Sequence, residues 1–477
     1  MSKTKLKEKS RVKEINKTAN IKMKINLILL PFEETVKNPP ISLAYIGAIL
    51  KREGHEVKLI DLNFEKEIPN SDINIVATTT LDYYNCPLLN LGSIKKNLMK
   101  IRELKKPIIL IGPHGTSTPN YFENYADYIV IGEPEITVKE LVSSLSKRRS
   151  VRKVKGLHYK EGRKFITTPP RPLISDLDSL PFPDRSLIKN EKYYNPICKN
   201  NPFTAILTSR GCPYQCTFCY KGVYGSKWRK RSAENVVKEL IEIREKYGIK
   251  EVWFRDDLFL LDKERVIKIC EGIIKNKLDI SWSCASRVDN LDFSTLKKMK
   301  EAGCYVLSFG IESGSEEILR RIKKGITLEK VKEVVRWCKK LDIRTRGYFI
   351  IGFPGETAET INKTLKFAKE LDLDYFMLSI MTPYPNTEIY NEAMREKIIP
   401  GINWEYSLKY AGRIKTKFQF SELVKIKRKL YLKYYLRPFY IFPRLNRKKV
   451  DILLHGLYPF LKQMTISKFR GLVLEKN

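Results

Sequence analysis

The sequence predicts an α/β protein: an N-terminal doubly wound parallel sheet, then a partial six-unit (β/α) barrel, then a small basic C-terminal region. Three observations predict this. Twice along the chain short apolar runs alternate with amphipathic helical runs, the pattern of parallel strands joined by crossover helices. A proline-rich, cation-rich stretch without that periodicity separates the two regions. The 477 residues exceed the roughly 250–300 at which one hydrophobic core stops growing, so at least two domains are expected.

Taken in order, residues 1–22 form a basic extension with no apolar core, which does not read as a secretory signal. Residues 23–148 carry "KINLILL", "ISLAYIGAILKREG", "HEVKLID", "INIVATTT", "PIILIG", "ADYIVIG" and "ITVKELVSSL", a complete alternating series. In such sheets ligands sit at the carboxyl ends of the strands, here the loops at Thr78–Thr80, Gly112–Thr116 and Gly132–Pro134. Residues 149–200, with "SKRRSVRKVKG" leading in and "TPPRPLISDLDSLPFPD" following, read as an extended linker with a small hairpin, because proline removes ladder donors. Residues 201–390 carry the second series, with strands at "TAILTS", "EVWFRD", "ISWSCAS", "YVLSFGIE", "RTRGYFIIG" and "YFMLSIM". Barrel chemistry is expected at the carboxyl ends of these strands. Residues 391–477 are basic and aromatic without strong periodicity.

The longest apolar runs, such as Ile25–Leu30, fall short of the ~20 residues of a spanning helix, so a cytoplasmic location is expected. The net charge of +35 suits nucleic acid, an anionic membrane surface or an acidic ligand, and alone does not choose among them. Of nine cysteines, those at 86, 198, 270, 284, 304 and 338 are scattered, several in apolar runs where a reduced buried thiol is expected. His55, entering a strand, reads as structural.

The other three, Cys212, Cys216 and Cys219, lie in "TSRGCPYQCTFCYKG" just past a strand end. Thiolates bind iron or zinc, and this spacing lets one loop wrap one face of a metal centre. A structural zinc would need a closed fourth ligand, and none stands nearby. A four-iron cluster on three thiolates keeps one iron open.

This CxxxCxxC, with Phe218 before the last cysteine, resembles the radical S-adenosylmethionine enzymes. The resemblance implies a 4Fe-4S cluster held by Cys212, Cys216 and Cys219, S-adenosylmethionine on the open iron and a 5'-deoxyadenosyl radical. It extends over about 203–385. "WFRDDLF" offers Asp256 and Asp257 where relatives hold the cofactor's amino group with Gly-Gly-Glu, leaving open which aspartate serves. Arg287 would grip the carboxylate, Glu312 and Ser313 the ribose, and Ile350 and Gly352 the adenine edge. Placed before such a barrel, the first domain resembles the cobalamin-binding domain of the largest subgroup, with Thr79, Gly112, His114, Gly132 and Glu133 as candidate contacts. The Asp-x-His-x-x-Gly signature is absent, so His114 is expected to touch the corrin and not to ligate cobalt.

The cofactor set implies methylation of an unactivated carbon of a hydrophobic, lipid-like or tetrapyrrole-like substrate. The alternative in the same fold is radical oxidative cyclisation or coupling without methyl transfer. A third reading, of another class, is a nucleic-acid-binding protein with a structural metal site. It is not favoured, because no RNA module follows the barrel. Methylthiolation of transfer RNA is disfavoured because the first domain holds only Cys86. A ferredoxin or flavodoxin is the implied electron donor, and the tail near Tyr431–Tyr440 suggests a peripheral membrane contact at the inner face.

Overall fold

The computed structural model describes residues 21–445 apart from 33–35, 81–83, 85, 88–89 and 196. Most of the N-terminal extension, and the C-terminal region beyond 445, lie outside the described residues.

The first sheet is built from β1 (Lys24–Leu29), β2 (Glu56–Asp61), β3 (Ile73–Ala77), β4 (Ile108–Ile111) and β5 (Tyr128–Val130), all parallel, in the order β2-β1-β3-β4-β5. This is a doubly wound order with its switch point beside β1. Strand residues alternate between faces. Ile25, Leu27 and Leu29 pack against helix α1 (Ile41–Arg52), while Ile28, Val76 and Leu110 pack against α2 (Leu91–Arg102). A one-turn helix α3 (Pro113–Ser117) follows β4, and α4 (Pro134–Ser146) follows β5.

The hairpin expected in the linker, β6 (Leu157–Glu161) and β7 (Lys164–Thr167), instead extends the first sheet. β6 pairs antiparallel with β5, burying Leu157 and Tyr159 in the core shared with β1 and α4. The first sheet therefore runs to Thr167, past the expected boundary at 148. A parallel edge strand with half-buried residues is completed more cheaply by a local hairpin than by another crossover.

The second sheet has six strands in chain order: β8 (Phe203–Ile206), β11 (Glu251–Phe254), β12 (Ser281–Ser286), β13 (Cys304–Glu312), β14 (Arg344–Ile351) and β15 (Tyr375–Ile380), all parallel. A two-residue ladder of β9 (Ser209–Arg210) and β10 (Arg229–Lys230) lies between β8 and β11 in the chain. Helices α5 (Ala233–Glu245), α6 (Lys263–Lys275), α7 (Phe293–Glu301), α8 (Glu316–Arg321), α9 (Leu328–Lys340) and α10 (Ala358–Leu371) connect the strands. Their apolar faces cover the outer strand residues Val252, Phe254, Trp282, Leu307, Phe309, Phe349 and Ile351. Asp262, Asp292 and Thr327 cap α6, α7 and α9 by accepting from backbone N–H groups three residues on. Cys270, Cys284, Cys304 and Cys338 are buried free thiols.

The barrel stays open, and its last edge is closed in an unusual way. After α11 (Glu388–Arg395) and α12 (Trp404–Lys409), helix α13 (Phe420–Tyr435) crosses β15. The Tyr435 hydroxyl accepts from Phe376 N and donates to Phe376 O, both at 2.9 Å. Tyr431 does the same at Leu378, at 2.9 and 3.4 Å. Two tyrosines one helical turn apart thus satisfy the strand edge that a seventh strand would have paired. This corrects the expectation for the tail: Tyr431, Tyr434, Tyr435 and Tyr440 face the barrel and are buried. Among the described residues no helix is long and apolar enough to cross a membrane.

Candidate functional site

The cysteine loop starts at Gly211, whose φ of +82° suits glycine and where a Cβ would stand 2.3 Å from Lys227 O. Its N–H donates to Asp257 Oδ2 at 2.9 Å. The middle of the loop is pinned from both sides: Thr217 N donates to Ile322 O and Thr217 O accepts from Ile389 N, each at 3.1 Å. Burial pushes the Cys212 and Cys219 thiols up, and the neighbouring cysteines and Asp257 push Cys219 further. The three sulfurs are therefore close enough to feel one another's charge. Cations surround them: Lys221 acts on Cys212, and Arg287 and Lys324 lie within reach of Cys216. Among the described residues no three His, Cys, Asp or Glu side chains converge on a single ion. In an iron–sulfur cluster each thiolate takes its own iron, so three soft donors on one loop fit that group without converging.

The barrel strand ends place the other predicted residues around this loop. Phe218 packs on Phe353, ring centroids 5.4 Å apart, beside Ile350. Asp256 is buried and fully engaged: it accepts from Thr208 N at 2.6 Å, from the Thr208 hydroxyl and from Ser209 Oγ at 2.8 Å. That carboxylate ties the first two strand ends together, and Asp257 is the acid that meets the cysteine loop. Arg287 spends Nε and Nη2 on Asp289 and lies over the Tyr214 ring, 3.6 Å from its centroid. Its Nη1 is buried with no hydrogen-bond partner. Glu312 stands at φ +69° and pairs with Lys324 at 2.8 Å, both buried. Burial works against the Lys324 charge, and Glu312 outweighs it to hold the ammonium above its ordinary pKa. Ser313 bonds to Thr364 Oγ1 at 3.2 Å and Ser315 N at 3.1 Å, so its hydroxyl braces α10. Gly352 N and Phe353 N donate to Glu356 Oε2. Oε1 of Glu356 is buried without a partner, and burial raises this carboxyl to about 7. Open valences at Arg287 and Glu356 fit an amphoteric ligand over the cysteines.

On the facing domain, the Thr79 hydroxyl is buried with no partner. Gly112 and Gly132 turn at φ +108° and +84°, and a Cβ at Gly132 would meet nothing within 4 Å. These strand ends present backbone, space and a free hydroxyl, which fits a flat uncharged group. Two of the expected contacts have partners within the protein. His114 is buried, with Nδ1 2.8 Å from Thr78 Oγ1 and its ring 4.7 Å from that of Trp404. Glu133 is buried between Arg210 and Arg229, at 3.0 and 2.9 Å, and accepts from Ile174 N at 2.7 Å. With Glu135, 2.5 Å from Arg210, it forms a four-charge clasp between the N-terminus of α4 and the two arms of the cysteine loop. His55 is structural as expected, its Nδ1 accepting from Met23 N at 3.3 Å.

The carboxyl ends of the two sheets face each other. Tyr220, next to Cys219, donates to Pro113 O at 3.3 Å. Asn386, beyond β15, donates to Ser117 O at 3.0 Å, and Trp404 Nε1 donates to His114 O at 3.2 Å. Lys324, Glu356, Trp404 and Arg210 were missed in the sequence. Only Arg210 and the Glu-Pro-Glu of 133–135 carried a local signal, as charges inside otherwise ligand-like loops.

The model of the radical SAM superfamily matches residues 206–368. An uncharacterized methyltransferase of Pyrococcus horikoshii is 40% identical over 435 residues, 87% of this chain and 93% of that protein. The radical S-adenosylmethionine methyltransferase TsrM from Kitasatospora setae, solved with cobalamin and a [4Fe-4S] cluster, superposes with a TM-score of 0.66 at 20% identity, over 79% of this chain and 75% of that one. The cobalamin-dependent S-adenosylmethionine radical enzyme OxsB, solved with aqua-cobalamin, gives 0.69 at 19% identity, over 94% and 75%.

Proposed function

This chain belongs to the cobalamin-dependent radical S-adenosylmethionine enzymes, and from that premise we propose that it methylates an unactivated carbon of its substrate. The observation that carries this reading is the opposition of two unlike strand-end faces: three thiols ringed by cations on the barrel, and glycines with an unpaired hydroxyl on the first sheet.

Bound between them, a 4Fe-4S cluster with S-adenosylmethionine would supply a 5'-deoxyadenosyl radical, and cobalamin would supply the methyl carrier. Cys212, Cys216 and Cys219 would hold three irons, and Phe218 would shield that edge from water. Lys221 and the Arg287 and Lys324 cations offset the thiolate charge. Arg287 Nη1 would take a carboxylate oxygen of S-adenosylmethionine, and Asp257 its ammonium. Glu312, paired with Lys324, would accept from ribose hydroxyls, while Ile350 and Gly352 offer the apolar edge for adenine. Thr79 and the turns at Gly112 and Gly132 would seat the corrin.

Enzymes of this superfamily need an electron donor, and an acidic ferredoxin or flavodoxin suits the basic surface. A peripheral membrane contact is carried by a different face from the tyrosines. Leu432, Leu436, Phe439, Phe442 and Leu445 are exposed beside Lys425, Lys429 and Lys433, an apolar ridge with cations for anionic lipid.

Anaerobic protein incubated with S-adenosylmethionine, methylcobalamin and a low-potential reductant should release 5'-deoxyadenosine, and with substrate a product 14 mass units heavier. Product of altered mass without that increment would move the reading to oxidative cyclisation.

A further inference from the structure

The barrel lumen carries a feature that nothing above uses. Outer strand residues are fixed by the helical layer, so their alternates face inward. The inward set on β14 is Arg344, Arg346, Tyr348 and Ile350. By strand register Arg346 is level with Ser308 on β13 and Tyr375 on β15, and Ser308 is level with Ala285 on β12. Ala285, paired with β13 and lying beyond the last β12 pair with β11, is exposed, so the lumen at this level is open.

Arg346 is only 7% exposed. Its guanidinium lies 5.7 Å from the ring centroid of Trp253 and 5.4 Å from that of Tyr375, beside Tyr348. Among the described residues no carboxylate comes within ion-pair distance of it. A buried guanidinium without an anion is costly to keep, and ring faces compensate it only in part. The planar fork matches a carboxylate or phosphate.

Resting on the function proposed above, we infer that the substrate bears an anionic group, a carboxylate or a phosphate, which docks on Arg346 within the barrel. Four residues of strand, about 13 Å at ~3.3 Å each, separate Arg346 from Ile350 at the adenine edge. The substrate is therefore an elongated acid: its charged end sits on Arg346, and its body passes Tyr348 and Met377 toward the radical. Lipid-like or tetrapyrrole-like character, if present, belongs to that body, and a wholly neutral lipid is not the substrate.

The test titrates reconstituted enzyme calorimetrically with two matched pairs, phenyl phosphate against phenol and indole-3-acetate against indole-3-acetamide. At least one anion is expected to bind roughly ten-fold tighter than its neutral partner, and the pair that shows it tells phosphate from carboxylate. Arg346→Gln should abolish the preference, and Arg346→Lys, which keeps the charge without the fork, should retain part of it. Equal binding within both pairs, no saturable binding of either anion, or a preference that survives Arg346→Gln would overturn the inference. Cluster absorbance and 5'-deoxyadenosine release are followed on the same preparations. Their loss in wild type defeats the enzymatic reading, whereas their presence without anion preference defeats this inference alone.

Discussion

The two parallel sheets meet carboxyl end to carboxyl end, yet they spend their polar residues in opposite ways. On the barrel side polar groups keep unmet valences, as at Arg287 Nη1 and Glu356 Oε1. On the first sheet Glu133 and Glu135 pair with Arg210 and Arg229 and so hold the domains together, with only Oε2 of Glu135 left without a partner, and the candidate ligand positions are glycines and a threonine. The difference follows from the ligands each face suits: an amphoteric cofactor needs charge pairing, whereas a large flat one needs close backbone approach and exclusion of water.

Removing one thiol should separate the two faces most sharply. Cys216→Ala is expected to lose nearly all iron and all 5'-deoxyadenosine formation while retaining cobalamin, read by metal analysis and absorbance of one preparation. Arg210→Met breaks the clasp instead and leaves Glu135 buried and unpaired, a change that costs about 3–5 kcal/mol. A lower denaturant midpoint should report it, and an unchanged midpoint would show that the clasp is not what couples the sheets.

Glu356 gives a pH test on the barrel side alone. Its carboxyl is raised by burial to about 7, so the native state holds a proton that the unfolded chain releases near its ordinary value. Its stabilising contribution is complete at acid pH and is lost as pH rises through about 7, by about 3 kcal/mol at most. Denaturant stability of Glu356→Gln should lack this decline. On the first sheet, Thr79→Val removes one unpaired hydroxyl and should weaken cobalamin binding by about 1 kcal/mol. Smallest of all, Phe439→Ser with Phe442→Ser should reduce flotation with anionic liposomes without touching either face. These two rings are 86% and 70% exposed, and an unaltered flotation would remove the membrane contact.

Much of this architecture was legible because it is local. The period of apolar residues marked both alternating regions, and the cysteine spacing at the first barrel strand end marked the metal loop. What escaped depends on partners far along the chain. Trp404 covers His114 from 290 residues away, and the acids of residues 133–135 find Arg210 and Arg229 across a domain boundary. The tail tyrosines looked interfacial because aromatics mixed with cations suit a headgroup layer. An unfilled strand edge at β15 offered their hydroxyls a stronger partner. Asp256 and Asp257 are adjacent in sequence and were indistinguishable there. In the loop beyond β11 one turns back to the strand end and the other meets the cysteine loop.

The central claim is that the cysteine loop holds an open-iron cluster facing S-adenosylmethionine, opposite cobalamin. Electron paramagnetic resonance of the anaerobically reduced protein, before and after S-adenosylmethionine is added, tests it most directly. A four-iron signal per chain whose g values shift on addition is the expected result. A colourless, zinc-containing protein with no such signal would contradict the account.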